Sequence, residues 1–277
     1  MNFGKHNLYQ KIFIIILIIF SGNEIFCYKC GSSKLKVRYG YANATTNTSK
    51  RNLENQYTNI KIGIDYTDFK KPNNMTTQTF KKLKMLIEDT KEEFQKILKI
   101  QHLDVNLAKS TLMQECELTS VSNNYNKFLY DYDYMIFPTL DYKLDDYVIA
   151  AAKMCLVVNT NNRPCAGNLY LNAKYISFNS QNFELYYKHV LFHELTHALI
   201  FHPIILDNLR MLKVKNKYTL LVNSPKVLQK ARAHFGCLNL EGLPLENQGG
   251  EGTFGFHWEE RYMLVDYMIS IGVLWIM

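Results

Sequence analysis

The residues with the clearest chemistry are His193, Glu194 and His197. They sit as H-E-x-x-H in the run Phe192-His193-Glu194-Leu195-Thr196-His197-Ala198-Leu199. Residues four apart share one face of a helix, so both imidazoles can meet a single Zn²⁺. Glu194 lies on the adjoining flank, where its carboxylate can take a proton from a water that the ion activates. A core helix carrying two hydrogen-bonded histidines would give the same letters. A catalytic zinc takes three protein ligands and keeps a fourth position open, so the motif needs one more partner.

Three histidines downstream could supply it. His202 stands just before Pro203, which ends the helix, and there it caps the last carbonyls or faces solvent. His234 falls in a mostly polar helical stretch and reads as structural. His257 follows the glycine-rich loop Asn247-Gln248-Gly249-Gly250-Glu251-Gly252-Thr253. Glycines let a backbone turn tightly and approach a metal. Spacing alone does not choose among the three.

The elements that must position these residues follow from periodicity. Ile60, Ile62 and Ile64 alternate with polar neighbours and predict a half-buried strand. Phe80, Leu83, Ile87, Phe94, Ile97 and Leu98 predict an amphipathic helix over about 77–100. Short apolar runs at 134–137, 155–158 and 168–176 predict strands separated by turns such as Asn161-Asn162-Arg163-Pro164. The H-E-x-x-H helix begins near Asn182 and stops by Pro203. Ser224 and Pro225 start a helix over 225–235 that Gly236 ends.

A chain of 277 residues, 47% hydrophobic and 21% charged, can bury a substantial core. The formal charge of +7 comes from scattered lysines. The densest patch, Lys81-Lys82-Leu83-Lys84, reads as a solvated helix face, and no nucleic-acid signature accompanies it. At the N-terminus, Lys5 and Lys11 precede the apolar run Ile12 to Phe20, the layout of a secretory signal peptide over 1–27. Residues 28–57 are polar and predict a leader or short pro-segment, with the folded part starting near Asn59. Entry into the secretory pathway makes disulfides the expected state of the cysteines, Cys27, Cys30, Cys116, Cys155, Cys165 and Cys237. Asn43, Asn47 and Asn74 carry N-x-S/T sequons, candidate N-glycosylation sites that agree with that route. The expected location is extracellular or at the cell surface, with membrane-surface association left open.

Several segments, in order, resemble one family. They are Asp133-Tyr134-Met135-Ile136-Phe137, Arg163-Pro164-Cys165-Ala166-Gly167, Ala231-Arg232-Ala233-His234-Phe235-Gly236-Cys237, Leu240-Glu241-Gly242, Leu245-Glu246-Asn247-Gln248-Gly249-Gly250 and His257-Trp258-Glu259-Glu260-Arg261. With the H-E-x-x-H helix they look like the leishmanolysin family of zinc metalloendopeptidases, over about Ile60 to Met268. The resemblance implies an α+β, metzincin-like fold. A twisted mixed sheet and the active-site helix would occupy 58–203, and a smaller, mostly irregular or helical part 204–277. It implies His193, His197 and His257 as ligands of one catalytic Zn²⁺, Glu194 as general base and Met268 as the methionine floor beneath the metal. It also implies a Cys116–Cys155 disulfide and protein or peptide substrates.

The chain departs from the family pattern at Ile200, where a glycine usually makes the turn after the second ligand. A β-branched residue resists positive φ. Two further cysteine roles suggest themselves, a Cys165–Cys237 link and a latency thiol at Cys30, whose surroundings match no such motif. The apolar tail 271–277 is too short to span a membrane and lacks the spacer of a lipid-anchor signal. Two functions are consistent with these residues. One is an active secreted or surface zinc endopeptidase. The other is a catalytically weak relative retained as a surface binding or adhesion protein.

Overall fold

The computed structural model describes residues 28–29, 39–44, 57–125, 130–140, 144, 148–177, 181–206, 209–214, 217–248, 253–263, 268 and 271–272. The signal-peptide segment, Cys27, Cys30 and Asn47 lie outside the described residues. Among the described residues, the main sheet has six strands: β1 (Gly40–Ala44), β2 (Ile62–Ile64), β3 (Val105–Asn106), β4 (Tyr134–Leu140), β5 (Ala150–Val158) and β6 (Pro164–Leu171). Their spatial order is β2-β4-β6-β5-β1-β3. The pairs β2–β4, β4–β6 and β5–β1 are parallel, while β5–β6 and β1–β3 are antiparallel. The protein is α+β with a mixed sheet.

Both faces of this sheet are covered, which explains why all nine residues of β5 are buried. The helices on the first face are α1 (Thr77–Ile97) and, further along the chain, the metal-motif helix; the short α2 (Lys109–Glu115) lies on the second. Neighbouring strand residues alternate between faces. Thus Tyr134 and Ile136 enter the first cluster, with Leu83, Ile87 and Phe94 of α1. Met135 and Phe137 enter the second, with Leu112 of α2, Cys155 and Cys165. A disulfide joins Cys116 to Cys155 and ties the end of α2 to β5.

α1 begins at Thr76, whose hydroxyl accepts from the Thr79 N–H at 3.1 Å. It ends three residues before the periodicity predicts. Leu98 turns extended, and Lys99 and Ile100 instead pair with Asn59 and Thr58. α3 (Gln181–Leu199) packs beside α1, with Phe94 stacked on Phe192 at 4.4 Å. Ion pairs Lys82–Glu184 and Lys188–Glu93 flank that seam. Lys84 lies over the Tyr66 ring at 4.5 Å. Two of the three lysines in the basic patch are therefore engaged by the protein itself.

The strand expected over 168–176 runs over 164–171 instead. Asn172 then accepts from the Lys174 N–H and turns the chain into a single helical turn at 173–175. The polar segment 28–57 also differs from a plain leader, because residues 40–44 are a strand of the main sheet. Its small residue Ala42 is fully buried between neighbours, while Tyr41 and Asn43 point outward. This alternation is short and lies among Asn and Thr residues that mask it.

Beyond α3 lies a smaller antiparallel sheet of β7 (Leu209–Val214), β8 (Lys217–Val222) and β9 (Leu243–Pro244). α4 (Pro225–Phe235) spans the residues expected from its start and stop signals, and Gly236 closes it at φ 64°. A third cluster, Phe201, Val222, Leu245 and Met268, joins this region to the end of α3.

Candidate metal centre

α3 carries His193, Glu194 and His197 against the first core cluster through Tyr187, Leu191, Leu195 and Ala198. Those apolar residues fix the helix's rotation, and so fix where its polar residues project. Glu194 and His197 are buried and His193 is half-buried. His257 arrives from the segment that follows the smaller sheet and is fully buried. A bridge between Leu245 and Trp258 anchors its segment.

The three imidazoles converge. Nε2 of His197 lies 3.3 Å from Nε2 of His193 and 3.1 Å from Nε2 of His257. Nδ1 of His197 donates to the Phe201 carbonyl at 3.1 Å. Its proton therefore sits on Nδ1, and Nε2 is left as a bare lone pair aimed at the cluster. Burial first, then the facing His193 and His257, holds His197 well below the usual histidine range. Burial and the nearby His193 push His257 down to about 3, with the Thr253 backbone offsetting part. Both rings are thus neutral near pH 7, the protonation state that ligates a metal.

The donor set fits a divalent ion of the zinc type. Nitrogen ligands held at about 2.0–2.1 Å in a tetrahedron sit roughly 3.3 Å from one another. The observed nitrogen separations have that scale, and the three ligand atoms all lie within 4.8 Å.

The turn after His197 is made without glycine. Among the described residues, the non-glycine positions with positive φ are Glu117 and Asn162, so Ile200 is not strained in this way. The Ile200 and Phe201 N–H groups both bond back to the Thr196 carbonyl, at 2.9 and 2.7 Å. That doubled turn swings the Phe201 carbonyl round to His197. Met268 is buried in the cluster with Phe201, and its carbonyl accepts from the Trp258 N–H at 3.0 Å. The methionine is therefore next to the backbone that carries His257.

The other sequence candidates are not members of the three-histidine cluster. His202 is buried rather than solvated. Its Nδ1 accepts from the Ile204 N–H, its ring meets Phe256 edge-on, and its Nε2 has no hydrogen-bond partner. A turn starts at His202 itself, whose carbonyl accepts from the Ile205 and Leu206 N–H groups at 2.9 and 3.0 Å. His234 is exposed on α4. Cys165 and Cys237 are both free, the first buried in the sheet and the second exposed, so no link joins them. Burial pushes the Cys165 thiol up to about 12. Asn43 and Asn74 are exposed.

Sequence reasoning missed three supports. Tyr134 is buried and its hydroxyl donates to the carbonyl of Ala198, beside His197, at 3.3 Å. The Phe201 carbonyl has no signature, because any residue supplies one. Glu246 is buried beside the segment that carries His257. The one available signal was a glutamate just ahead of a glycine-rich loop.

The fold and site together define an α+β protein whose buried three-histidine cluster can hold a metal ion. The leishmanolysin family model matches residues 76–273, and the chain belongs to this family of metallopeptidases. It is 66% identical over 38 residues to a leishmanolysin-like peptidase of Caenorhabditis elegans, covering 14% of this chain and 6% of that one. It is 30% identical over 130 residues to a leishmanolysin homolog of Crithidia fasciculata, covering 45% of this chain and 19% of the other. Leishmanolysin of Leishmania donovani is 31% identical over 120 residues, or 41% and 20% of the two chains. The matched stretches thus span a fifth or less of these relatives.

Proposed function

We propose that this protein is a secreted or cell-surface zinc endopeptidase, with His193, His197 and His257 holding the ion and Glu194 acting as general base. The observation that carries this is the convergence of three imidazoles, two of them buried, on one point beside Glu194. When bound, Zn²⁺ lowers the pKa of water from about 16 toward 7 and polarises the scissile carbonyl. Glu194 accepts the proton as water attacks the peptide carbonyl, then returns it to the leaving amine. The burial of Glu194 keeps its carboxylate out of competing solvent. Phe201, through its carbonyl, keeps His197 in the tautomer that presents Nε2. Met268 takes the methionine-floor role that the family resemblance implies, from its place in the cluster with Phe201.

Three features support the location: the signal-peptide layout, the Cys116–Cys155 disulfide and the exposed sequon asparagines Asn43 and Asn74. Among the described residues no helix is long and apolar enough to cross a membrane.

Ile200 is one departure from the family pattern that favours a catalytically weak binding protein, and its turn forms without positive φ. The test is zinc content of the purified protein together with chelator-sensitive cleavage of a generic protein substrate. One zinc per chain with cleavage that a chelator abolishes is expected. Zinc without cleavage would favour the binding-protein reading, and protein without zinc would defeat both.

A further inference from the structure

We infer that Glu246 is a positioning residue that sets the third histidine of the proposed metal site; the inference rests on that site. Glu246 is 5% exposed, yet no lysine or arginine contacts its carboxylate within ion-pair distance among the described residues. Its two oxygens instead accept from main-chain N–H groups on opposite ends of one loop. Oε1 accepts from Gln248 at 2.8 Å, where the glycine-rich segment begins. Oε2 accepts from Glu260 at 3.2 Å, three residues past His257. The backbone of the same residue is used as fully. Its N–H donates to the His257 carbonyl at 2.8 Å, and its carbonyl accepts from Gly255 at 2.9 Å.

Four hydrogen bonds from one residue therefore brace the loop before, at and after the third ligand. A buried carboxylate must have its lone pairs satisfied, and here the partners are the backbone of the ligand loop itself. Among the described residues, His257 lies in no helix or strand of its own. The histidines of α3 need no such brace, because the helix fixes them to each other. The position of His257 relative to them depends on the loop, and the loop closes on Glu246. Neighbouring ties secure its base: Asn247 donates to Thr219 at 2.6 Å, and Leu245 bridges to Trp258.

The test uses apo protein titrated with Co²⁺, whose visible absorption reports coordination geometry without any substrate. Glu246→Gln is nearly isosteric but turns an amino group toward one of the two N–H donors. Glu246→Ala removes both acceptors. Both variants are expected to bind Co²⁺ at least about tenfold more weakly than wild type, with an altered visible band. His257→Ala provides the spectrum of a site that lacks the third ligand. Circular dichroism and the thermal midpoint of apo Glu246→Gln are expected to stay close to wild type. A folded Glu246→Gln protein with wild-type affinity and an unchanged band would overturn the inference. Wild-type protein that takes up no Co²⁺ would instead overturn the metal site beneath it.

Discussion

Glu194 and the histidines divide the work of the proposed site, and single substitutions separate the roles. Glu194→Gln keeps the size of the side chain and leaves all three imidazoles in place. It is expected to retain zinc but lose peptide hydrolysis by about 10²–10⁴-fold, the usual contribution of a general base. Equal hydrolysis by wild type and variant would rule Glu194 out. His202 gives a second test, of stability rather than chemistry. Burial pushes it down to about 4, so it is neutral when folded, whereas an unfolded chain takes up the proton near pH 6.5. Its contribution to stability is thus complete above about pH 6.5 and is lost as the pH falls toward 4. In chelated protein, the thermal midpoint should drop between pH 7 and 4.5. The drop should be smaller in His202→Asn, whose side-chain oxygen can replace Nδ1 as the acceptor for Ile204. Identical drops would show that His202 does not titrate in this window.

At the scale of elements, α3 is held where it ends as well as along its face. The Tyr134 hydroxyl reaches the Ala198 carbonyl because Gly167, on the neighbouring strand β6, has no side chain. A Cβ there would run into Tyr134 Oη and sit 2.7 Å from the Lys153 carbonyl oxygen. Gly167→Ala should cost about 1–3 kcal/mol in urea unfolding. The cost should be smaller in a Tyr134→Phe background, where the first obstacle is gone, and additive costs would disprove the coupling. Neither half of this arrangement is visible in the chain as letters. Tyr134 reads as one more apolar residue of a strand, and its partner is a backbone carbonyl. By contrast, α1 and α4 were legible because caps and periodicity are local, as was the i, i+4 pairing of His193 with His197. The hairpin β7–β8 was not legible. Its turn has no glycine or proline to mark it, and Met211 and Tyr218 are exposed on its outer face, which blurs the alternation. His257 belongs with the illegible features for a related reason. Its contact with His197 is set by topology, and only family resemblance singled it out beforehand.

Across the whole molecule, the three proposed ligands come from regions of unequal strength. His193 and His197 ride on a helix embedded in the large core between the main sheet and α1. His257 hangs from the region around the third cluster, whose buried residues among those described are Phe201, Val222, Leu245 and Met268. This region should open locally more readily than the large core of the main sheet. An ion shared by all three histidines would join the weaker region to the stronger one. It would also stabilise the folded chain by mass action, about 4 kcal/mol when free metal exceeds the dissociation constant a thousandfold. Chelation is therefore expected to lower the thermal midpoint, and to speed amide exchange in 253–263 far more than in β5. His257→Ala should start with a lower midpoint and respond little to the chelator, because the remaining pair lies on α3 alone. Protein whose midpoint and exchange pattern were the same with and without metal would refute this link, since an ion held by α3 and the 253–263 segment cannot leave without loosening their junction.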